Sequence, residues 1–217
     1  MFRDFIERNK GKTTFLEHEV KRLLKDMGFS VPNGVFIRVG EAMPQLRLTY
    51  PLAAKVSSSK ITSKSNVNGI RLGLRDEEEL KNAVSELMQI EYAEGVLVEE
   101  MAPRGIEVIV GGIIDRQFGP VVMFGLGGVF VELFKDTAFA VAPLKKEDAL
   151  WLIKQVKGYR LLEGYRGSPS IDVNSLLNII TSVSEIIGTG LIEEIDLNPV
   201  SLYPEGALIL DAKMSVR

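Results

Sequence analysis

The stretch FGPVVMFGLGGVFVELFKD, Phe118 to Asp136, decides how this chain is read. It is apolar enough for a core, yet Gly125, Gly127 and Gly128 sit in its middle and a lone carboxylate, Glu132, interrupts its end. Glycines between two strand-like runs mark a place where something approaches the backbone closely. A glycine turn between buried strands also presents N–H groups with no side chains in the way, a means of holding phosphate oxygens without net positive charge. A plain tight turn accounts for the same letters, so the surrounding sequence has to choose.

Working outward, IEVIVGGIID and GPVVMFGL lie before and within the stretch, and GVFVELF and FAVAPL lie at and after its end. Four strand candidates in close succession predict an antiparallel meander. Lys145 to Val156 and Val173 to Ile187 carry helical spacing, the second capped by Asp172, and the chain closes in IEEIDLNPVSLYPEGALILDAKM, two strands around the turn Tyr203-Pro204-Glu205-Gly206. In the first half, Phe15, Leu16, Val20, Leu23, Leu24 and Met27 predict a helix from Thr14 to Met27, with Thr14 as cap, Glu17 three residues on and Gly28 as stop. VPNGVFIRV, YPLAAKV, NGIRLGL and GVLVEEM read as strands, and Asp76 to Met88 as a helix with an acidic first turn. The expectation is an α+β fold of two lobes. Residues 1–98 form an N-terminal helix and a small lobe, and residues 99–217 a larger lobe ending in the hairpin, with a ligand cleft between them.

Composition removes whole classes of function. The 217 residues hold 46% hydrophobic and 25% charged side chains and a net charge of -3, which gives no basic field for nucleic acid or an anionic membrane. There is no cysteine and one histidine, His18, so disulfides, thiolate zinc sites and imidazole clusters are excluded, and any metal is held by oxygen ligands. The start, MFRDFIERNKGK, has no apolar signal region, and no apolar run reaches the ~18 residues of a membrane span, so a cytoplasmic protein is expected.

Several residues stand out chemically. Asn198 and Asp211 lie on the two closing strands, where an amide oxygen and a carboxylate can stand side by side, and Asp196 alternates onto the face of Asn198. Hard oxygen donors of this kind suit Mg²⁺, which takes one or two carboxylates and fills its other positions with water and phosphate. A strand-end turn at Asn198-Pro199 is the competing account. Lys55 ends a half-buried apolar run, where an ammonium meets either a bound anion or a glutamate across the sheet. Glu99, Glu100 and Glu107 flank the strand between the lobes, and the adjacent Glu99 and Glu100 must point to opposite faces.

Taken in order, YPLAAKV, the polar loop SSSKITSKSNVNGI, LVEEM, GIEVIVGGIIDRQFGPVVMFGLGGVFVELFKD, GYRGSP and IDLNPV…LDAKM resemble the ATP-grasp β subunit of ADP-forming acetyl-CoA synthetases, and more distantly the succinyl-CoA synthetase β chain. The resemblance runs from about Phe15 to Met214 and implies an ATP-grasp fold that binds ATP or ADP with Mg²⁺ between its lobes. It implies that Lys55 contacts the phosphates, that Glu99, Glu100 and Met101 hold adenine, and that Glu107 takes a nucleotide hydroxyl. Asn198 and Asp211 fall on the Mg²⁺ ligand positions, Gly127 and Gly128 in the loop that receives a phosphorylated histidine, and Arg166 of GYRGSP on a phosphate or subunit contact. The implied partner is a CoA-binding α subunit in a heterotetramer, and the implied reaction is acyl-CoA + ADP + phosphate to acid + CoA + ATP through acyl phosphate and phosphohistidine.

One departure is chemical. Where the family carries His-Lys-Ser/Thr-Asp followed by Val-Gly-Gly, this chain has Ser63-Lys64-Ser65-Asn66-Val67-Asn68-Gly69, so the relay histidine is Ser63, and His18 is no substitute by position. A serine alkoxide is too basic to carry phosphate near neutral pH without a dedicated base. Two expectations follow: direct delivery of phosphate to ADP by the α subunit, or a non-catalytic nucleotide-binding module.

Overall fold

The computed structural model describes residues 1–128, 135–167 and 169–216. The expected strand GVFVELF and its Glu132 lie mostly outside the described residues. The chain divides into two compact units, one of residues 1–15, 20–31 and 104–217, the other of residues 16–19 and 32–103. A single cut near residue 98 therefore does not describe it: the N-terminal segments pack with the later half.

The larger unit is built on antiparallel strands. In chain order they are β1 (Thr14–Phe15), β6 (Ile106–Asp115), β7 (Gly119–Leu126), β8 (Thr137–Val141), β9 (Ile192–Leu202), β10 (Ala207–Ile209) and β11 (Ala212–Val216), arranged β1-β11-β9-β6-β7-β8 with β10 paired to β9. The meander read from the sequence is present as β6-β7-β8. The helices α4 (Lys146–Lys154) and α5 (Val173–Gly188) pack on this sheet, and a 3₁₀ turn, Lys157–Leu161, lies between them. Asp172 caps α5 by accepting the Ser175 N–H at 3.1 Å, as its position in the sequence predicts, and also accepts the Gly206 N–H at 3.1 Å. That second bond ties the start of α5 to the turn at 203–206.

The N-terminus holds two differences from the sequence reading. Helix α1 (Phe2–Arg8) was not anticipated, although Phe2, Phe5 and Ile6 recur at helical spacing and pack on the core. Thr14 does not cap the next helix. Thr14 and Phe15 pair with Ser215 and Met214, and α2 (Glu17–Asp26) begins three residues later, with the Glu19 carboxylate accepting the Leu16 N–H at 3.1 Å. Sheet pairing supplies more to Thr14 than a cap would, and the reciprocal glutamate is Glu19 rather than Glu17. The stop at Gly28 is as expected: φ is +94° and the Phe29 N–H bonds the Leu24 carbonyl at 3.0 Å, the αL ending that favours glycine. Val20, Leu23 and Leu24 of α2 are buried in this unit's core with Phe124, Leu126, Leu152, Leu176 and Ile180.

The smaller unit is a four-stranded antiparallel sheet ordered β2-β5-β3-β4, from β2 (Gly34–Arg38), β3 (Leu52–Ser57), β4 (Ile70–Leu74) and β5 (Gly95–Glu100). Helix α3 (Glu77–Met88), capped by Asp76, lays Leu80, Ala83, Val84 and Leu87 against it. Strand β3 is buried along its whole length; Leu52, Ala54 and Val56 face the core under α3, and Lys55 alternates onto the other face of the sheet, where its side chain is also buried. Among the described residues no helix is long and apolar enough to cross a membrane.

Candidate functional site

The closing strands place the first group of predicted residues. Strand β11 pairs with β9 so that Ala212 opposes Leu197 and Lys213 opposes Asp196, and one step further the Asn198 N–H donates to the Asp211 carbonyl at 3.2 Å. Asn198 and Asp211 are thus opposite one another, and Asp196 shares the face of Asn198 by the two-residue alternation of a strand. The sequence reading expected two strands here. The segment instead makes three, because the chain breaks at Leu210 and Asp211 before β11, and that break sets Asp211 at a strand end.

Charge explains why this face matters. Burial and the carboxylates of Glu194 and Asp211 raise the Asp196 pKa to about 6, against the opposing pull of Lys213 and a hydrogen bond from Asn198. Acids so disposed repel one another, and a divalent cation offsets the repulsion. Among the described residues no group of three or more His, Asp or Glu side chains is placed to hold a metal by itself. The set at hand, two carboxylates and an amide oxygen, fits Mg²⁺, whose remaining positions go to water and phosphate oxygens.

The glycine stretch answers the question posed by its sequence in a specific way. Gly127 is buried and its N–H donates to the Glu107 carbonyl at 2.7 Å. A Cβ at 127 would stand 2.9 Å from that oxygen and 3.0 Å from the Glu107 carbonyl carbon and Cβ. What comes close to the backbone here is first the protein's own strand β6. Gly128 is exposed with φ +62°, and a Cβ there would meet none of the described residues within 4 Å. Gly105, Ile106, Glu107, Leu126, Gly127, Gly128, Leu161 and Tyr165 line a cavity of about 370 Å³, so Glu107 and both glycines meet at one hollow. Arg166 takes φ +49° and sits 5.4 Å over the ring of Tyr165, its neighbour and a wall of that cavity.

In the smaller unit Lys55 meets glutamates across the sheet. Its Nζ lies 2.8 Å from Glu99 Oε2 and 3.0 Å from Glu17 Oε1, with both carboxylates almost wholly buried. Glu99 and Glu100 point to opposite faces, as the alternation requires. Glu100 accepts from the Thr49 N–H at 2.8 Å and Asn33 Nδ2 at 2.9 Å, which hold its carboxyl below the usual range. Met101 Sδ lies 2.9 Å from the Gly73 N–H. The structure therefore joins Lys55 with Glu99, and leaves Glu100 and Met101 in contacts of their own. Ser63 is half-buried and its Oγ accepts the Asn66 N–H at 3.4 Å, a turn contact. His18 stacks on Phe36 with ring centroids 4.0 Å apart. Two charged residues that the sequence reading passed over belong to this cluster: Glu17, read only as a capping glutamate, and Lys64, whose Nζ lies 2.9 Å from Glu17 Oε2. A charged residue amid the apolar spacing of α2 was the available signal for Glu17, and Lys64 had none within its polar loop.

Comparison with known proteins places this architecture. The model of the ATP-grasp domain matches residues 7–216. The chain is 40% identical over 223 residues to the β subunit of ADP-forming acetate–CoA ligase I of Pyrococcus furiosus, covering 98% of this chain and 96% of that one. It is also 40% identical over 203 residues to ADP-forming acetate–CoA ligase II of Archaeoglobus fulgidus, covering 93% of this chain but only 30% of that longer protein. Among solved structures, the dinucleotide-forming acetyl-coenzyme A synthetase 1 of Ca. Korarchaeum cryptofilum with coenzyme A, Ca-AMPCP and HgCl+ matches with a TM-score of 0.88 at 37% identity, over 100% of both chains. A second structure of that protein, with coenzyme A and Mg-AMPPCP and its phosphohistidine segment pointing towards the nucleotide binding site, matches with a TM-score of 0.82 at 41% identity, again over 100% of both chains. On this coverage and identity the chain belongs to the ATP-grasp family, in the branch of the β subunits of ADP-forming acetyl-CoA synthetases.

Proposed function

We propose that this chain is the nucleotide-binding subunit of an ADP-forming acyl-CoA synthetase, which with a CoA-binding α subunit converts acyl-CoA, ADP and phosphate to acid, CoA and ATP. The observation that carries the reading is the acidic face of β9 and β11, where burial first, and then the carboxylates of Glu194 and Asp211, raise Asp196 to about 6, and Asn198 stands opposite Asp211. A face of that kind has little use in a core and suits a cation shared with phosphate. Asn198 and Asp211 are the Mg²⁺ ligands in this reading, and the ion, when bound, neutralises charge on the phosphates. Lys55, buried and oriented by Glu99, contacts the nucleotide phosphates, and the strand end from Glu99 to Met101 borders the base. Glu107 takes a nucleotide hydroxyl. Gly127 and Gly128 leave the lip of the 370 Å³ cavity without side chains, so that the partner's phosphohistidine can approach, with Arg166 beside it.

Phosphoryl transfer asks the protein for positioning and charge neutralisation more than for covalent chemistry, and these residues offer donors and cations already held in place. Ser63 engages the Asn66 N–H in a turn and is given no role as a carrier. The α-subunit phosphohistidine then passes its phosphoryl group directly to ADP: the N–P bond breaks, the β-phosphate oxygen of ADP forms the new P–O bond, and the neutral imidazole leaves. The similarity to catalytic β subunits favours this over a non-catalytic module. The expected assembly is a heterotetramer of two such chains and two α subunits.

The test is reconstitution with an α subunit and measurement of ATP formed from acetyl-CoA, ADP and phosphate. Turnover that falls at least tenfold in Asp211→Ala supports the reading. A correctly assembled complex that forms no ATP across a panel of acyl-CoAs overturns it.

A further inference from the structure

The buried charge cluster around Glu17 contains more than the Lys55 contact assigned above. Glu17 lies in the first turn of α2, where the helix dipole favours a carboxylate, and its side chain is 3% exposed. Its two oxygens are divided between two lysines from different places in the sequence. Oε1 is 3.0 Å from Lys55 Nζ on β3, and Oε2 is 2.9 Å from Lys64 Nζ in the loop that follows β3. The same two places are joined through the backbone. The Gly69 N–H donates to the Lys64 carbonyl at 2.7 Å, and the Val56 N–H, next to Lys55, donates to the Gly69 carbonyl at 2.8 Å. A Cβ on Gly69 would run into the Val56 side chain and stand 3.0 Å from the Lys64 carbonyl oxygen, so the fold of this loop leaves no slack there.

Two ammonium groups repel, and a carboxylate between them holds them together. Glu99 lies on the other side of Lys55, so carboxylates flank that ammonium on two sides. The carboxylates fix the directions in which the two ammonium groups present their N–H donors. An ammonium carries three donors, and one held by carboxylates can turn a donor to a phosphate oxygen when a phosphate approaches. Lys64 stands beside Ser63, in the loop that bears no phosphoryl carrier here.

We propose that Glu17 is a positioning residue that sets Lys55 and Lys64 as a paired grip on the phosphates of the nucleotide, and that Lys64 is the phosphate-contacting group of the loop. The proposal rests on the nucleotide reading above. It gives the loop 58–69 a function that does not need a histidine.

The experiment is calorimetric titration of MgADP into the full chain, comparing wild type with Glu17→Gln, Lys64→Met and the double variant, with a thermal midpoint for each. Each single variant is expected to weaken MgADP binding on the order of tenfold, the size of one lost charge-assisted contact. The double variant is expected to bind no worse than the weaker single, since both act through one element. A structural role alone moves the midpoint and leaves affinity intact. A competing-anion role predicts the opposite sign, because Glu17→Gln adds one positive charge. Unchanged or tighter binding in Glu17→Gln, or unchanged binding in Lys64→Met, overturns the proposal. If Glu17→Gln does not fold, Glu17→Asp and Lys64→Met carry the test, the shorter acid being expected to fall between wild type and Lys64→Met. A wild-type chain that does not bind MgADP at all overturns the nucleotide reading itself, a result distinct from any difference among variants.

Discussion

Replacing Gly127 by alanine puts the reading of the glycine stretch to a quantitative test. The new methyl carbon would stand 2.9 Å from the Glu107 carbonyl oxygen and 3.0 Å from its carbonyl carbon and Cβ. These are backbone or near-backbone atoms of a strand paired on both sides, to β7 and β9, so they cannot swing aside as a side-chain tip can. Relief has to come from moving β6 or the start of the glycine loop, which strains the 2.7 Å bond from the Gly127 N–H to the Glu107 carbonyl. Overpacking of this kind costs about 1–3 kcal/mol. Alanine regains roughly 0.4–1 kcal/mol by restricting the unfolded chain, so the net loss spans about 0–2.6 kcal/mol, and about 1–2 kcal/mol is the central expectation because the contacts are to backbone that cannot yield. For a protein of this size that lowers the thermal midpoint by roughly 2–8 °C, at about 2–4 °C per kcal/mol. The assay is urea unfolding at constant m-value, paired with a thermal scan. Gly128→Ala is the comparison: its added Cβ would meet none of the described residues within 4 Å, and its φ of +62° makes backbone strain the expected cost. If Gly127→Ala is neutral within about 0.5 kcal/mol, the close approach to Glu107 is not what fixes glycine at this position.

Three further outcomes follow from the geometry. The Asp196 pKa is raised to about 6 from 3.8, so the folded state favours its neutral form, and its contribution to stability is present at low pH and lost as pH rises from about 4 through 6. Without Mg²⁺ wild type should lose up to about 3 kcal/mol relative to Asp196→Asn between pH 4 and 8, and urea unfolding in EDTA across that range should show the two converging at low pH. Lys55→Met leaves the buried carboxylate of Glu99 without its 2.8 Å ammonium partner and should cost about 3 kcal/mol or more, read by denaturant unfolding. Asp172→Ala removes the cap of α5 and the bond to the 203–206 turn together, and is expected to lower the thermal midpoint and to reduce hydrogen-exchange protection at Ser175 and Gly206.

Much of the fold was legible because periodicity and turn chemistry are local. The alternation in GVLVEEM and IEVIVGGIID, the acidic first turn after Asp76 and the stop at Gly28 each specify an element without reference to the rest of the chain. Thr14 shows the limit. As a local letter it is a good cap, but its pairing with Ser215 comes from the far end of the chain, and a long-range bond overrode the local preference. The three-strand ending was missed for the same reason, since Leu210 is held from outside its own segment: its carbonyl accepts Lys21 Nζ at 2.7 Å.

The candidate site divides along the same line. That Asn198, Asp196 and Asp211 share a face could be read from the sequence because strand alternation projects residues onto faces. A charge in an apolar run demands a partner, and the glutamate alternative for Lys55 is the one the structure shows. That its partners are Glu17 and Glu99, and that Glu17 also holds Lys64, depends on the packing of α2, β3, the loop after it and β5, which no spacing within any one of them encodes.

The most direct test of the central claim is titration of ADP into the purified chain in the presence of Mg²⁺ and again in EDTA, for wild type and Asp211→Ala. The account predicts that wild type binds and that binding depends on Mg²⁺. It also predicts that the dependence disappears in Asp211→Ala along with at least tenfold in affinity. Binding of equal strength with and without the ion, unchanged by the substitution, would contradict it.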